Sequence, residues 1–181
     1  MERLIKSQRI YRGRVVGLRV DTVALDNGVT AERETVEHSP AVVVVPVDSE
    51  ENVLLVRQYR WPAGEYLLEA PAGSLEEGEE AEEAALREME EETGYTAVKL
   101  VKLSSFWTTP GFTTELMHAY LATQLMPREA RPEADEVIEL VRVPLAQALA
   151  MVRRGEIRDA KSIAALLMTV DYLGAVVGRT W

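Results

Sequence analysis

Three glutamates, Glu88, Glu91 and Glu92, fall at spacings of three and four residues inside a stretch with helical periodicity, and together they offer oxygen ligands suited to a hard cation. On a wheel at about 100° per residue, Ala81, Ala85, Leu86 and Met89 form one apolar arc expected to face a sheet, and Glu92 falls inside it. Glu88 lies beside that arc, one turn earlier. Like charges so placed cost roughly 0.2–0.5 kcal/mol per pair, and more when partly buried. A helix built for stability alone avoids this arrangement, whereas Mg²⁺ or Mn²⁺ turns the repulsion into attraction. Arg87, on another side of the helix, can orient a glutamate through a bidentate bond. The other acids, Glu80, Glu82, Glu83 and Glu90, read as a solvated face.

The elements that must position these groups follow from periodicity. The helix is expected from about Glu79 to Thr93, stopped by Gly94, the residue best suited to a left-handed cap. Two continuous apolar runs, Ala41 to Val47 and Val53 to Val56, predict strands buried on both faces at the centre of the main sheet. Alternation from Val15 to Val23, then Asn27-Gly28, then Thr30 to Val36, predicts a hairpin and a small N-terminal sheet. Further strands are expected at Ala97 to Leu103, Met117 to Ala122 and Val137 to Val143. Helices are expected at Leu145 to Arg153 and Lys161 to Leu173. This is an α+β pattern, with helices packed on a mixed sheet.

Composition narrows the class. A chain of 181 residues, 47% hydrophobic, can bury a core without staples. Thirty acids against twenty bases give a net charge of -10, which argues against nucleic acid or anionic membrane as partner. The absence of cysteine removes disulfides and thiolate metal sites, and nothing reads as a signal peptide or a membrane span, so a cytoplasmic protein is expected. His38 and His118 have no nucleophile spaced to form a triad and are read as structural.

Gly73-Ser-Leu-Glu-Glu-Gly-Glu79, followed by Arg87-Glu88-Met89-Glu90-Glu91-Glu92-Thr93-Gly94-Tyr95, resembles the signature box of the Nudix hydrolases at every specified position. The resemblance implies a Nudix-type α/β/α sandwich with a mixed central sheet, here as residues 39–181, preceded by an N-terminal antiparallel β arm, residues 1–38, that serves dimerisation. It implies water attacking a diphosphate beside a divalent cation. Glu88, Glu92 and the Ala72 carbonyl would be metal ligands, and Glu91 a further ligand or proton acceptor. Arg87 would orient the carboxylates, Glu79 would support the loop, and Gly73 and Gly94 would permit tight turns.

Segments beyond the box, Val56 to Arg60, Leu67 to Gly73, Phe106 to Thr113, and Gly155 to Lys161, are similar to the ADP-ribose pyrophosphatase branch of that family. This implies hydrolysis of ADP-ribose to AMP and ribose 5-phosphate by a homodimer. Arg60 can pair with phosphate, Glu69 can accept a bond from a ribose hydroxyl, and Arg33 in the arm can reach the ligand across a dimer. Pro110 and Phe112 belong to the expected substrate loop, Phe112 being equally readable as packing. The catalytic base is expected among Glu133, Asp135 and Glu136, with Glu136 aligning best. Rival readings are another nucleoside diphosphate derivative such as FAD, a sugar nucleotide or a dinucleoside polyphosphate, a nucleoside triphosphate sanitiser, and a sensor that binds ADP-ribose without cleaving it.

Overall fold

The structure, a computed structural model, describes residues 1–131 and 137–177. The chain folds into two compact units, residues 1–40 with 106–116, and residues 41–105 with 117–181.

The first unit is built on an antiparallel sheet of β1 (Glu2–Arg12), β2 (Val16–Leu25) and β3 (Thr30–His38), in that order. Gly28, at φ 83°, closes the expected β2–β3 hairpin, and the Asn27 side chain accepts the Val29 N–H at 3.1 Å. Strand β1 did not stand out in the sequence. It is exposed along its whole length, so no alternation of burial marks it. The segment 106–116 lies along β3: Val36 donates to the Phe112 carbonyl at 2.7 Å, and Thr114 donates to the Val36 carbonyl at 3.0 Å.

Apart from Phe106, Trp107 and Leu116, which belong to the first unit, the remaining elements form the second: β4 (Ala41–Pro46), β5 (Asn52–Arg60), β6 (Glu65–Glu69), β7 (Ala72–Ser74), α1 (Ala81–Thr93), β8 (Tyr95–Trp107), β9 (Leu116–Pro127), β10 (Ile138–Pro144), α2 (Leu145–Arg153) and α3 (Ala160–Val177). One sheet runs β7-β4-β9-β8 and is mixed, since β4 is parallel to β9 and antiparallel to β7. A second runs β10-β5-β6, with both pairings antiparallel. The α+β class and the mixed sheet expected from the sequence hold. The two apolar runs do not share one sheet, however; each is an inner strand of its own.

All six residues of β4 are buried, which is why the run is continuously apolar. Helix α1 packs Ala84, Ala85 and Met89 against Val42, Val44, Tyr120 and Ala122, with Ala81 and Leu86 at the margin. Burying a side chain the size of Met89 contributes roughly 1.5–3 kcal/mol. The helix begins two residues later than expected, because Gly78, at φ 81°, and the Glu79 N–H to Glu76 carbonyl bond hold a turn there. Gly94 ends it at φ 72°, as a left-handed cap. Among the described residues no helix is long and apolar enough to cross a membrane.

Candidate active site

The apolar face of α1 drives the helix onto the sheet, and in doing so sets its acids against β7. Strand β7 pairs with β4, Val43 opposite Ala72 and Val42 opposite Gly73, which brings the 72–73 backbone alongside the helix. The Ala72 N–H donates to Glu92 Oε2 at 3.3 Å, and Glu92 is only 5% exposed. A Cβ on Gly73 would lie 2.1 Å from the Glu88 carboxyl carbon. Gly73 is therefore needed for close approach of backbone to carboxylate rather than for a turn; it is not among the glycines with positive φ, whereas Gly94 is.

Arg87 ties the cluster together. Its Nε and Nη2 donate to the two oxygens of Glu79 at 2.8 and 3.0 Å, and Nη2 also reaches the Ser74 carbonyl at 3.2 Å. Its Nη1 donates to Glu88 at 2.7 Å and to Glu91 at 3.1 Å. Glu79 in turn accepts the Glu76 N–H at 2.9 Å. Hydrogen bonding to Arg87 holds the Glu79 carboxyl below its usual range, and the same pairing raises the arginine. One guanidinium thus fixes the loop before the helix and two of its acids.

Among the described residues, no three Asp, Glu or His side chains are already gathered as a ligand set. The residues nevertheless suit a hard divalent ion in kind: they present carboxylate and carbonyl oxygens, with no sulfur or imidazole among them, and the backbone at Gly73 leaves no room beside Glu88 for a side chain. A cavity of about 320 Å³, lined by Arg87, Glu90, Glu91, Glu129 and Arg131, opens beside the cluster. Arg131 is anchored there through its N–H to the Glu91 carbonyl at 3.0 Å.

Behind Ala72 lies a second polar cluster. Arg60 forks onto Glu69, with both bonds at 2.8 Å, and Glu69 is 1% exposed. Lys161 reaches the same carboxylate at 2.5 Å. Burial pushes the Glu69 carboxyl up, but the Arg60 bonds and the Lys161 charge outweigh it, leaving it below the ordinary range. Arg60 is raised by its bonds to Glu69, against burial, and the charges of Glu92 and Asp159 add to this.

The remaining expected residues belong to the first unit or lie outside the described residues. Arg33 donates to both oxygens of Glu2, at 3.2 and 2.6 Å, within the first unit. Pro110 and Phe112 lie in the segment added to β3, and Phe112 is 54% exposed. Glu133, Asp135 and Glu136 lie outside the described residues. The sequence reading assigned Lys161 no part and passed over Ser162. A helix-start pattern Asp159-Ala-Lys-Ser162 is visible there, but its partners Glu69 and Ala70 stand 92 positions away, beyond any local signal.

The fold, with a carboxylate helix set against a glycine-bearing strand, is that of a pyrophosphohydrolase class known from related chains. The chain belongs to the NUDIX family, whose domain matches residues 37–166, and it is a Nudix pyrophosphohydrolase; the family generally uses a divalent metal. It is 44% identical to an ADP-ribose pyrophosphatase of Bacillus subtilis (strain 168) over 167 residues, covering 91% of this chain and 90% of the relative. It is 42% identical to a protein of Bacillus methanolicus named methanol dehydrogenase activator over 174 residues, 95% and 92% of the two chains. An ADP-ribose pyrophosphatase of Mycobacterium tuberculosis is 39% identical over 168 residues, covering 90% of this chain and 80% of the relative. A crystal structure of an ADP compounds hydrolase superposes with a TM-score of 0.89 at 25% identity, covering 99% of this chain and 97% of that one.

Proposed function

We propose that the protein hydrolyses the pyrophosphate bond of ADP-ribose, giving AMP and ribose 5-phosphate, as a cytoplasmic homodimer that uses Mg²⁺ or, in its place, Mn²⁺. The observation that carries the reading is the packing of Glu88 and Glu92 against the Ala72–Gly73 backbone, with Arg87 bonded to Glu88. Two relatives of nine-tenths coverage of this chain that are named for ADP-ribose support the choice of substrate.

Glu88, Glu92, Glu91 and the Ala72 carbonyl would hold the metal, which when bound lowers the pKa of water and neutralises phosphate charge. Arg87 keeps Glu88 and Glu91 oriented and prevents their mutual repulsion from splaying the helix face. Arg60 supplies a planar donor for the substrate's diphosphate and is held by Glu69 in the unliganded protein. Glu136, with Glu133 as the second candidate, would take the proton of the attacking water. Arg33, Pro110 and Phe112 complete the substrate-binding set. The arm of residues 1–38 would form the dimer contact, a reading supported by Leu4, Ile5, Ile10 and Tyr11, all more than half exposed on β1.

Purified protein with Mg²⁺ is offered ADP-ribose, FAD, GDP-mannose, diadenosine polyphosphates and dGTP, and products are resolved by chromatography. AMP and ribose 5-phosphate released fastest from ADP-ribose is the expected result. Faster cleavage of another diphosphate would remove the substrate assignment, and binding of ADP-ribose without cleavage would replace the enzyme with a sensor.

A further inference from the structure

Glu69 carries one more cation than a simple pair needs. Its carboxylate is buried; Arg60 forks onto both of its oxygens, and Lys161 shares Oε2 with the Arg60 Nη2. The two cations differ in access: the Arg60 side chain is 39% exposed, that of Lys161 is 16% exposed. Lys161 also approaches Asp159, at 2.9 Å, but Asp159 has other support. Its carboxylate accepts the Ser162 N–H at 2.9 Å and the Ser162 hydroxyl at 2.5 Å, in the geometry of a cap at the start of α3, where the helix dipole also favours a negative charge. The Ser162 hydroxyl in turn accepts the Ala70 N–H at 2.7 Å. Successive residues of α3, Lys161 and Ser162, therefore grip successive residues, Glu69 and Ala70, just before the Ala72 backbone that meets Glu92.

We propose that Lys161 is a positioning residue for substrate binding: it is the resident counter-ion of Glu69, and it lets the Arg60 guanidinium leave Glu69 and pair with the diphosphate of the substrate. The inference rests on the reading of Arg60 as a phosphate ligand. A buried carboxylate stripped of its last cation is strongly unfavourable, so without Lys161 the arginine is locked in place. With Lys161 present, the carboxylate stays compensated whichever way Arg60 turns. The division of labour suits the two side chains, because a planar fork matches phosphate oxygens and a compact ammonium on a flexible stem suits a fixed, enclosed partner.

The test is steady-state kinetics with ADP-ribose and Mg²⁺ for wild type, Lys161→Met, Arg60→Ala, and Lys161→Met combined with Glu69→Gln. In Lys161→Met, KM is expected to rise about tenfold with kcat within about twofold, the mark of lost ground-state binding. Adding Glu69→Gln removes the charge that traps Arg60 and is expected to bring KM back toward that of wild type, a recovery that a merely structural lysine would not show. Lys161→Gln, which keeps a donor without the charge, gives the same comparison should the methionine variant fail to fold. A raised KM in Arg60→Ala alongside an unchanged KM in Lys161→Met overturns the counter-ion role alone. An unchanged KM in Arg60→Ala overturns the phosphate-ligand reading itself, and the exchange with it.

Discussion

The two polar clusters of the second unit are built from the same side chains, glutamates and their cations, yet they are balanced differently. Around α1, the Arg87 guanidinium is shared among three carboxylates, Glu79, Glu88 and Glu91, while Glu92 accepts the Ala72 N–H and its charge bears on Arg60. Around the start of α3, Glu69 and Asp159 are matched by Arg60 and Lys161. Carboxylates crowded on one helix face repel one another, and in the function proposed above a metal joins the first cluster and offsets that repulsion. Matched charge costs little to keep and gives direction, so the second is suited to hold the Glu69–Ala72 segment and to present Arg60. The difference teaches that net balance, rather than the presence of paired ions, separates a site that binds from one that positions.

Removing one member of the unbalanced cluster should have the largest effect. Glu92→Gln is expected to lower turnover about a thousandfold, about 4 kcal/mol of transition-state stabilisation, and to weaken Mn²⁺ binding measured by electron paramagnetic resonance, while the thermal midpoint changes little. Normal turnover in this variant would show that the excess charge on α1 serves no metal.

A smaller loss is expected from Arg87→Lys, which keeps the charge but not the fork onto Glu79. Substitutions at such orienting residues typically cost about 10–100-fold in metal affinity or activity. If charge alone mattered in this cluster, lysine would restore both.

The smallest effect is expected from Glu69 itself, in the pH dependence of stability. Glu69 has its folded-state carboxyl lowered below its ordinary value of 4.5, so its contribution is present above that value and is lost as pH falls through the lowered one. Glu69→Gln is accordingly expected to lower the urea midpoint most near neutrality and to flatten its decline below pH 4.5, where variant and wild type converge. An acid limb identical to that of wild type would mean that Glu69 gains nothing from its two cations.

Much of this molecule was legible locally. The wheel that placed Glu92 in the apolar arc, the glycine that caps α1, and the unbroken apolar runs of β4 and β5 all depend on contacts within a few residues or on burial of a whole segment. The signature around Glu88 was likewise complete in the sequence, and family membership followed from it. Strand β1 escaped because a strand exposed on both faces leaves no periodic trace.

What the chain order alone decided, then, was which segments become helix or strand and which acids share a helix face, because side-chain direction repeats every 3.6 residues in a helix and every two in a strand. Only tertiary structure decided that Gly73 lies against Glu88, that Arg87 spans back to Glu79, that the two apolar runs enter separate sheets, and that Lys161 closes on Glu69. Each of these depends on how independently formed elements meet, and a charge 92 positions away leaves no mark on local propensity.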